Sequence, residues 1–345
     1  SLMITIIQPG LFTTVQDEGR WGYQAFGMPV AGAMDHYACR IANLLAGNKA
    51  EAAVLEMTLQ GGHFRFDQDC FVAICGADMS AKLNGAVVSN WSCFPVAAGS
   101  ELTLEFALTG CRSYLAVNGG IDVPVVLGSR STYTRGVIGG VEGRALKKGD
   151  VLPIGNEREF PGQARMLPTQ FVPSYSDSIE LRVLLGPQDD HFTAAGINTL
   201  FSTPYTITAE ADRMGYRMEG AVIEHNSKAD ITSDALCLGA IQVPGHGMPI
   251  VMMADRGTTG GYTKIGTVIS PDLVKLAQAK PDDTVCFKNC TEEEARSAFL
   301  AEHQAYKQIR QILFSPQALQ TTGAGKHYSV KVNNQVFRVQ IEEVE

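Results

Sequence analysis

Short apolar runs broken by turn clusters recur along this chain from end to end. Residues 3–7, 71–75, 102–108, 113–117, 179–185, 205–209, 249–254 and 284–288 are rich in β-branched and aromatic side chains, which pack well on a pleated surface, so each predicts a strand. The helical period shows in fewer places. Tyr37, Ile41, Leu44 and Leu45 share one side of a helix that Asp35 can cap and Gly47 can end. Ser270-Pro271-Asp272 opens a second helix over 272–279, since proline is at home in a first helical turn. Thr291 and Glu294 have the spacing of a capping box and open a third that reaches Phe314, with enough polar surface to sit outside a barrel. Beyond the Thr-Thr-Gly-Ala-Gly segment at 321–325, Tyr328, Val330 and Val332 alternate, Asn333-Asn334 turns, and Phe337, Val339 and Ile341 alternate again, which predicts a terminal hairpin.

The pattern is therefore mainly β, and 35 glycines among short strands favour barrels or sandwiches over repeated βαβ units. A length of 345 residues predicts about two domains. The stretch 156–178, rich in proline and polar residues and without periodicity, divides them as a linker. The expected organisation is a first domain over 3–155, a second over 179–290, and a helix with a hairpin over 291–345. An internal echo supports two related units: Arg20-Trp21-Gly22-Tyr23 resembles Arg213-Met214-Gly215-Tyr216, and Thr132-Tyr133-Thr134-Arg135 resembles Gly261-Tyr262-Thr263-Lys264. Ser1 and Leu2 ahead of Met3 read as an artificial extension.

Composition narrows the function. A net charge of −8 without a basic stripe argues against a nucleic-acid partner. No apolar run is long enough for a membrane helix and no signal-peptide pattern appears, so a cytoplasmic protein is expected, with no membrane partner. The eight cysteines lack Cys-x-x-Cys spacing and read as buried free thiols, including Cys286 and Cys290 at the end of a strand, and no metal is expected. Asp189-Asp190-His191 reads as a helix start, because adjacent side chains diverge too far to share a metal.

Candidate chemistry gathers in a few runs. From Ala254 through Lys264 a strand empties into a loop of charge, hydroxyls and glycine, where Arg256 can grip a carboxylate in bidentate fashion and Lys264 can add a point charge. Thr258 and Thr259 supply hydroxyls, while a plain Asp255–Arg256 loop staple is the competing reading. A second cluster, Gln16-Asp17-Glu18-Gly19-Arg20, is followed by the glycine-bearing run 27–35, and the two are expected to share one pocket wall. A third is Asp212-Arg213-Met214-Gly215-Tyr216-Arg217. His246, in a Pro-Gly-His-Gly loop, reads as a surface residue that could shuttle protons if it faced the pocket. No glycine-rich loop has Walker spacing, so the chain alone is not expected to bind ATP.

Five runs also carry a resemblance: Pro9 through Asp17, Gly32-Ala33-Met34-Asp35, Gly128 through Tyr133, Asp212 through Arg217 and Ala254 through Lys264. In this order they resemble the biotin-dependent carboxyltransferase-like family, which includes the C-type component of oxoprolinase, the Kip antagonist of sporulation control, and allophanate hydrolase subunit 2, the second half of the carboxyltransferase domain of urea amidolyase. Gly257 stands where that pattern has glutamine. The resemblance implies two cyclophilin-like β-barrel domains. It also implies a B-type carboxyltransferase-like partner and, beyond it, an A-type oxoprolinase partner. The leading activity it implies is ATP-dependent ring opening of 5-oxoproline to glutamate, with ATP and magnesium used in the complex. The alternatives are carboxyl transfer from carboxybiotin to urea or a related amide, and regulatory binding of a histidine-kinase inhibitor. No biotinyl-lysine site and no ATP-grasp segment occur, so the chain would receive an activated group. The residues these motifs nominate for catalysis are Arg256, Lys264, Asp255 and Arg213. Those nominated for substrate binding are Thr258, Thr259, Tyr262, Gln16, Asp17, Arg20 and Tyr216, joined by Gln242.

Overall fold

Alternation along the strand Val54–Thr58 sets the plan of the first half. Leu55 and Met57 enter an apolar core, so Glu56 and Thr58 must leave from the opposite face of the sheet. In the computed structural model, which describes residues 2–156, 162–314, 326–332 and 335–341, that strand belongs to a six-stranded sheet. Its order is Arg165–Met166, Ser92–Val96, Cys70–Asp78, Thr109–Val117, Val54–Thr58 and Phe12–Gln16. A second six-stranded sheet centres on Met3–Gln8 and His63–Phe66. Ile4, Ile6, Phe64 and Phe66 from it meet Leu55, Met57, Ile74 and Leu115 in the shared core. Arg165–Met166 lies within the expected linker and adds an edge strand beside Ser92–Val96.

The second half closes on itself. Seven strands form a barrel in the order Ser178–Leu185, Lys264–Val268, Ala240–Gln242, Ile250–Met252, Gly215–Gly220, Tyr205–Ile207 and Thr284–Asn289. Closure comes from parallel pairing of the first strand with the last, from Ser178 opposite Thr284 to Val183 opposite Asn289, and it leaves no open edge. Leu181, Val183, Met218, Ile241, Val251, Ile265 and Phe287 fill the interior. Met34 of the first half joins the same cluster, so the two halves are packed together rather than merely tethered.

Among the described residues, four helices dress these sheets. In α1 (His36–Leu45) the Asp35 side chain caps the start by accepting from the Ala38 amide, as the sequence predicts. α2 (Ala194–Ser202), capped by Thr193, was not anticipated; the expected helix start at Asp189 is a single 3-10 turn over Asp189–His191. α3 (Ser270–Ala277) begins two residues before the span read from sequence. The capping box of α4 (Glu292–Phe314) forms, with Glu294 accepting from the Thr291 amide at 2.7 Å and Thr291 Oγ1 accepting in return at 3.1 Å. Ile309 and Leu313 of α4 pack with Ile41 and Leu45 of α1 over the buried ring of Trp91. No helix among the described residues is long and apolar enough to cross a membrane.

Two expectations change. The strand over 102–108 is only Glu101–Thr103, because beyond it Leu104 bonds to Gly62 and Leu108 to Asp78 in loop geometry. Cys237 is exposed and Cys286 half-buried, whereas the other six cysteines are buried thiols as read. The terminal hairpin pairs Lys326–Val332 with Gln335–Ile341; the Asn333-Asn334 turn and the 321–325 segment lie outside the described residues.

Candidate functional site

The second face of the Val54–Thr58 sheet is covered by α1 and α4 over Val54, Cys75 and Tyr114, and meets the barrel at Glu56. Glu56, 1% exposed, receives Arg213 Nη1 on Oε1 at 2.6 Å, and the Tyr114 hydroxyl and Met34 amide on Oε2 at 2.8 Å each. Arg213 reaches across from the second half. It also donates to both oxygens of Asp255, at 3.1 and 2.9 Å, and to the Gly32 carbonyl at 2.7 Å. Burial alone would raise the pKa of Glu56, but Arg213 and Arg112, helped by the Met34 amide and Tyr114, outweigh it and hold it below the usual carboxylate range. Arg112 makes a parallel link, donating from Nη1 to the Tyr216 hydroxyl at 2.6 Å and to the Ala277 carbonyl at 2.8 Å. Gln278, just past α3, completes the seam: its amide nitrogen donates to Asp35 and to the Arg112 carbonyl at 2.8 Å each, and its oxygen accepts from the Cys111 and Arg112 amides. Burial pushes the Asp35 carboxyl up, against the pull of the Ala38 amide and Gln278.

Beside this network a cleft of about 460 Å³ opens between the halves, walled by Asp17, Met34 and Arg40 on one side, by Met253 and Arg256 on the other, and roofed by Glu302 of α4. Arg256 stands apart from every other buried cation of the seam. It is 7% exposed, its Nε and Nη1 donate only to the Leu236 and Met253 carbonyls at 3.2 and 3.3 Å, and among the described residues no carboxylate pairs with it. Burial lowers its pKa, opposed only by Cys237. A buried charge without a counter-ion is expensive for the fold, and an anion in the cleft would repay that cost. By contrast Arg40 is held by Glu18 at 2.7 Å, and His36 lies 3.0 Å from Glu302.

The nominated residues fall into separate places. Asp17 and Arg256 face the cleft, and Thr258 lines a smaller adjoining cavity of about 260 Å³ with Arg256 and Trp21. Asp255 pairs with Arg213 rather than with its neighbour Arg256, so the loop-staple reading does not describe this pair. Gln16 lies underneath, donating to the Thr132 carbonyl and accepting from the Gly32 amide. Asp17 accepts from the Ser129 and Ser131 hydroxyls at 2.6 Å and from the Arg130 amide. Arg20 is wholly buried and donates to the Val126, Ser129 and Ser131 carbonyls. The two early motifs run side by side, with Arg20 bonded to Val30 and Ala33 to Asp17 through their backbones. Lys264 is 2% exposed and bridges Asp234 at 3.1 Å and the Ala235 carbonyl at 3.2 Å, tying down the strand Asp230–Ala235. Thr259 and Tyr262 belong to Thr259–Tyr262, a strand paired with that one and not the open loop expected. Tyr216 is a buried partner of Arg112, and Gln242 sits in the barrel wall with Nε2 unbonded beside Gly260. His246 is exposed and accepts from the Met248 amide.

Glu56, Arg112, Tyr114 and Gln278 were missed in the sequence. For the first three the signal was a charged or phenolic residue inside a largely apolar strand, as in Cys-Arg-Ser-Tyr-Leu-Ala-Val at 111–117, and Gln278, at the end of α3, carried none.

Two β units clamped through buried arginines, with one uncompensated guanidinium in the cleft between them, define a two-part β protein suited to holding an anionic group. The chain belongs to the family of the carboxyltransferase domain, subdomains A and B, whose model matches residues 26–289. It is 41% identical over 308 residues to the C-type component of 5-oxoprolinase from Escherichia coli K12, covering 89% of this chain and 97% of that protein. The urea amidolyase of Lachancea kluyveri is 34% identical over 317 residues, covering 84% of this chain but 17% of that much longer protein. The crystal structure of the Kluyveromyces lactis urea amidolyase superposes with a TM-score of 0.85 at 30% identity, over 89% of this chain and 20% of that one.

Proposed function

We propose that this chain is the C-type component of an ATP-dependent 5-oxoprolinase, inactive alone and working with a B-type and an A-type partner. The observation that carries the reading is its end-to-end correspondence with the Escherichia coli C-type component, which the urea amidolyases match only as a fraction of their length. The reaction opens the lactam of 5-oxoproline with water, giving glutamate, while ATP becomes ADP and phosphate. Direct attack on the lactam places negative charge on its carbonyl oxygen, and phosphorylation of that oxygen by ATP places the charge on the phosphoryl oxygens instead, so either route develops an anion for a cation to hold. Arg256 supplies the preorganised charge for that oxyanion or for the substrate carboxylate, because its backbone follows the buried strand Ile250–Met252 and no acid competes for it. Arg213 and Asp255 act as positioning residues that hold the two walls of the cleft in register. ATP with magnesium is brought by the assembled complex.

The test is co-expression with the two partners and an assay of glutamate release from 5-oxoproline. Release that requires ATP and this chain supports the reading; release undiminished without this chain overturns it. The fold-level match to urea amidolyase favours one second reading, carboxyl transfer from carboxybiotin to urea or a related amide, with Arg256 holding the carboxylate. Activity only with a biotin carboxylase, biotin and urea would select it.

A further inference from the structure

On the other side of the Arg213–Glu56 clamp lies a second cavity, of about 330 Å³, walled by Thr58 and Arg112 from the first half and by Arg213 and Asp255 from the second, with Arg135 at its rim. Thr58 and Arg112 are direct cross-strand neighbours, so their side chains leave the same face of the sheet at close spacing. Arg112 is 3% exposed and locked by its bonds to Tyr216 and Ala277, yet its Nε has no hydrogen-bond partner, and the nearest carboxylate oxygen, Glu56 Oε1, is 4.0 Å away. The buried Thr58 hydroxyl is also unbonded. Leaving two neighbouring buried groups unpaired is costly, and structures rarely do so without something to receive them.

The two acids that line the cavity are turned to partners within the protein, although Asp212 has no ion pair among the described residues. Asp255 holds Arg213 through both oxygens, and Asp212 Oδ1 accepts from the Met214 and Gly215 amides of its own turn. What remains unpaired is a fixed guanidinium Nε and a hydroxyl, both covered just behind the cavity wall, and at the rim the exposed Arg135, for which no ion pair forms among the described residues. Arg135 ends the Thr-Tyr-Thr-Arg run, which the Arg256 cleft leaves unused. We propose that this cavity is a second binding site, distinct from the Arg256 cleft, for a small oxyanion, either a phosphate or a carboxylate. Its volume lies at the low end for small-molecule sites. Guanidinium and hydroxyl donors are the groups that recognise such oxygens. Because Arg213 and Asp255 form a wall of this cavity and also clamp the cleft, an anion here would bear directly on the clamp.

The experiment is calorimetric titration of the full chain at low ionic strength with inorganic phosphate and, separately, with glutamate. At least one should bind with unit stoichiometry, and which one does identifies the source of the oxyanion. Thr58→Val, which keeps the β-branched shape, and Arg135→Ala, at the exposed rim, should each weaken that binding tenfold or more. Arg135→Lys should recover part of it, and Arg256→Ala should leave it within twofold. Binding of neither anion, binding unchanged in both Thr58→Val and Arg135→Ala, or binding abolished by Arg256→Ala would overturn the assignment. Because separate variants report on the two cavities, failure here is distinguishable from failure of the 5-oxoprolinase reading.

Discussion

Glu56→Gln is the sharpest test of the seam, since it removes one charge and almost no volume. In the parent, Oε1 receives Arg213 at 2.6 Å, and Oε2 receives Tyr114 and the Met34 amide at 2.8 Å. A glutamine places one oxygen and one NH2 group in that space, so it can serve one side of this arrangement and sets donor against donor on the other. A hydrogen bond to a charged group contributes about 1.5–3 kcal/mol, and a buried donor left unpaired costs about 1–3 kcal/mol. Together these come to about 2.5–6 kcal/mol, which brackets the roughly 3–5 kcal/mol found when one partner of a buried ion pair is removed. That is a large share of a net stability of about 5–15 kcal/mol. Urea unfolding of the full chain, followed by the fluorescence of Trp91 under α1 and α4, would measure it. The pH dependence supplies a second signature. Glu56 has a folded pKa below its unfolded value of about 4.3, so its contribution is complete above that value and is lost as pH falls through the folded pKa. Asp35, raised by burial and in part by the Glu56 charge, has the opposite sign, so losing that charge relieves some of its penalty in the variant and narrows the gap without reversing it. The gap between parent and variant should therefore be full at pH 7 and shrink below about pH 4.3. A difference under about 1 kcal/mol at pH 7, or one unchanged down to pH 3, would refute the reading of Glu56 as the charged centre of the seam.

Arg256→Ala should lower turnover of the reconstituted complex by about 10²–10³, or about 2.7–4 kcal/mol, while moving the thermal midpoint of the isolated chain little, since no ion pair is lost; parallel losses of turnover and folding would make it a structural residue. Arg256→Lys should recover only part of the turnover, because an ammonium cannot form the bidentate fork, and full recovery would argue for a simple point charge. Gly32→Ala should destabilise the chain by about 2–3 kcal/mol, because Gly32 has a φ of 89° and a Cβ there would lie 3.0 Å from the Gly19 backbone; chemical denaturation within about 0.5 kcal/mol of the parent would contradict this.

How much of this was legible depended on what each residue faces. The Asp35 cap, the capping box of α4 and the barrel strands over Ser178–Leu185 and Thr284–Asn289 follow from local rules, and local rules recovered them. The seam follows from a tertiary fact that no local rule contains. In Val-Leu-Glu-Met-Thr at 54–58, alternation reads as one buried face and one solvated face, yet the second face is covered by α1, α4 and the barrel, and Glu56 is 1% exposed. Likewise the Thr-Thr-Gly-Gly-Tyr run reads as a loop from its glycines. It becomes a strand because Gly260 must lie flat against Gln242, where a Cβ would come within 2.3 Å of the amide nitrogen.

The internal echo of Arg20 and Arg213 carries the last step. Both arginines precede a Gly-Tyr pair and both are buried; on sequence grounds Arg213 was nominated beside Arg256 for catalysis and Arg20 for substrate binding. Their surroundings separate them. Arg20 is enclosed by three carbonyls of one loop, and Arg213 is neutralised by Glu56 and Asp255 while it joins the halves. Arg213, so committed, has little left to offer an incoming anion; Arg20 has no ion pair among the described residues and its Nη1 is unbonded, but it lines neither the cleft nor the smaller cavity beside it. Arg256 has carbonyl partners but no charge partner, and it lies on a cleft whose walls come from both halves. Among the buried guanidiniums described, its charge is the one that both lacks an ion pair and faces the cleft, and the clamp at Arg213 joins the two halves whose walls meet there.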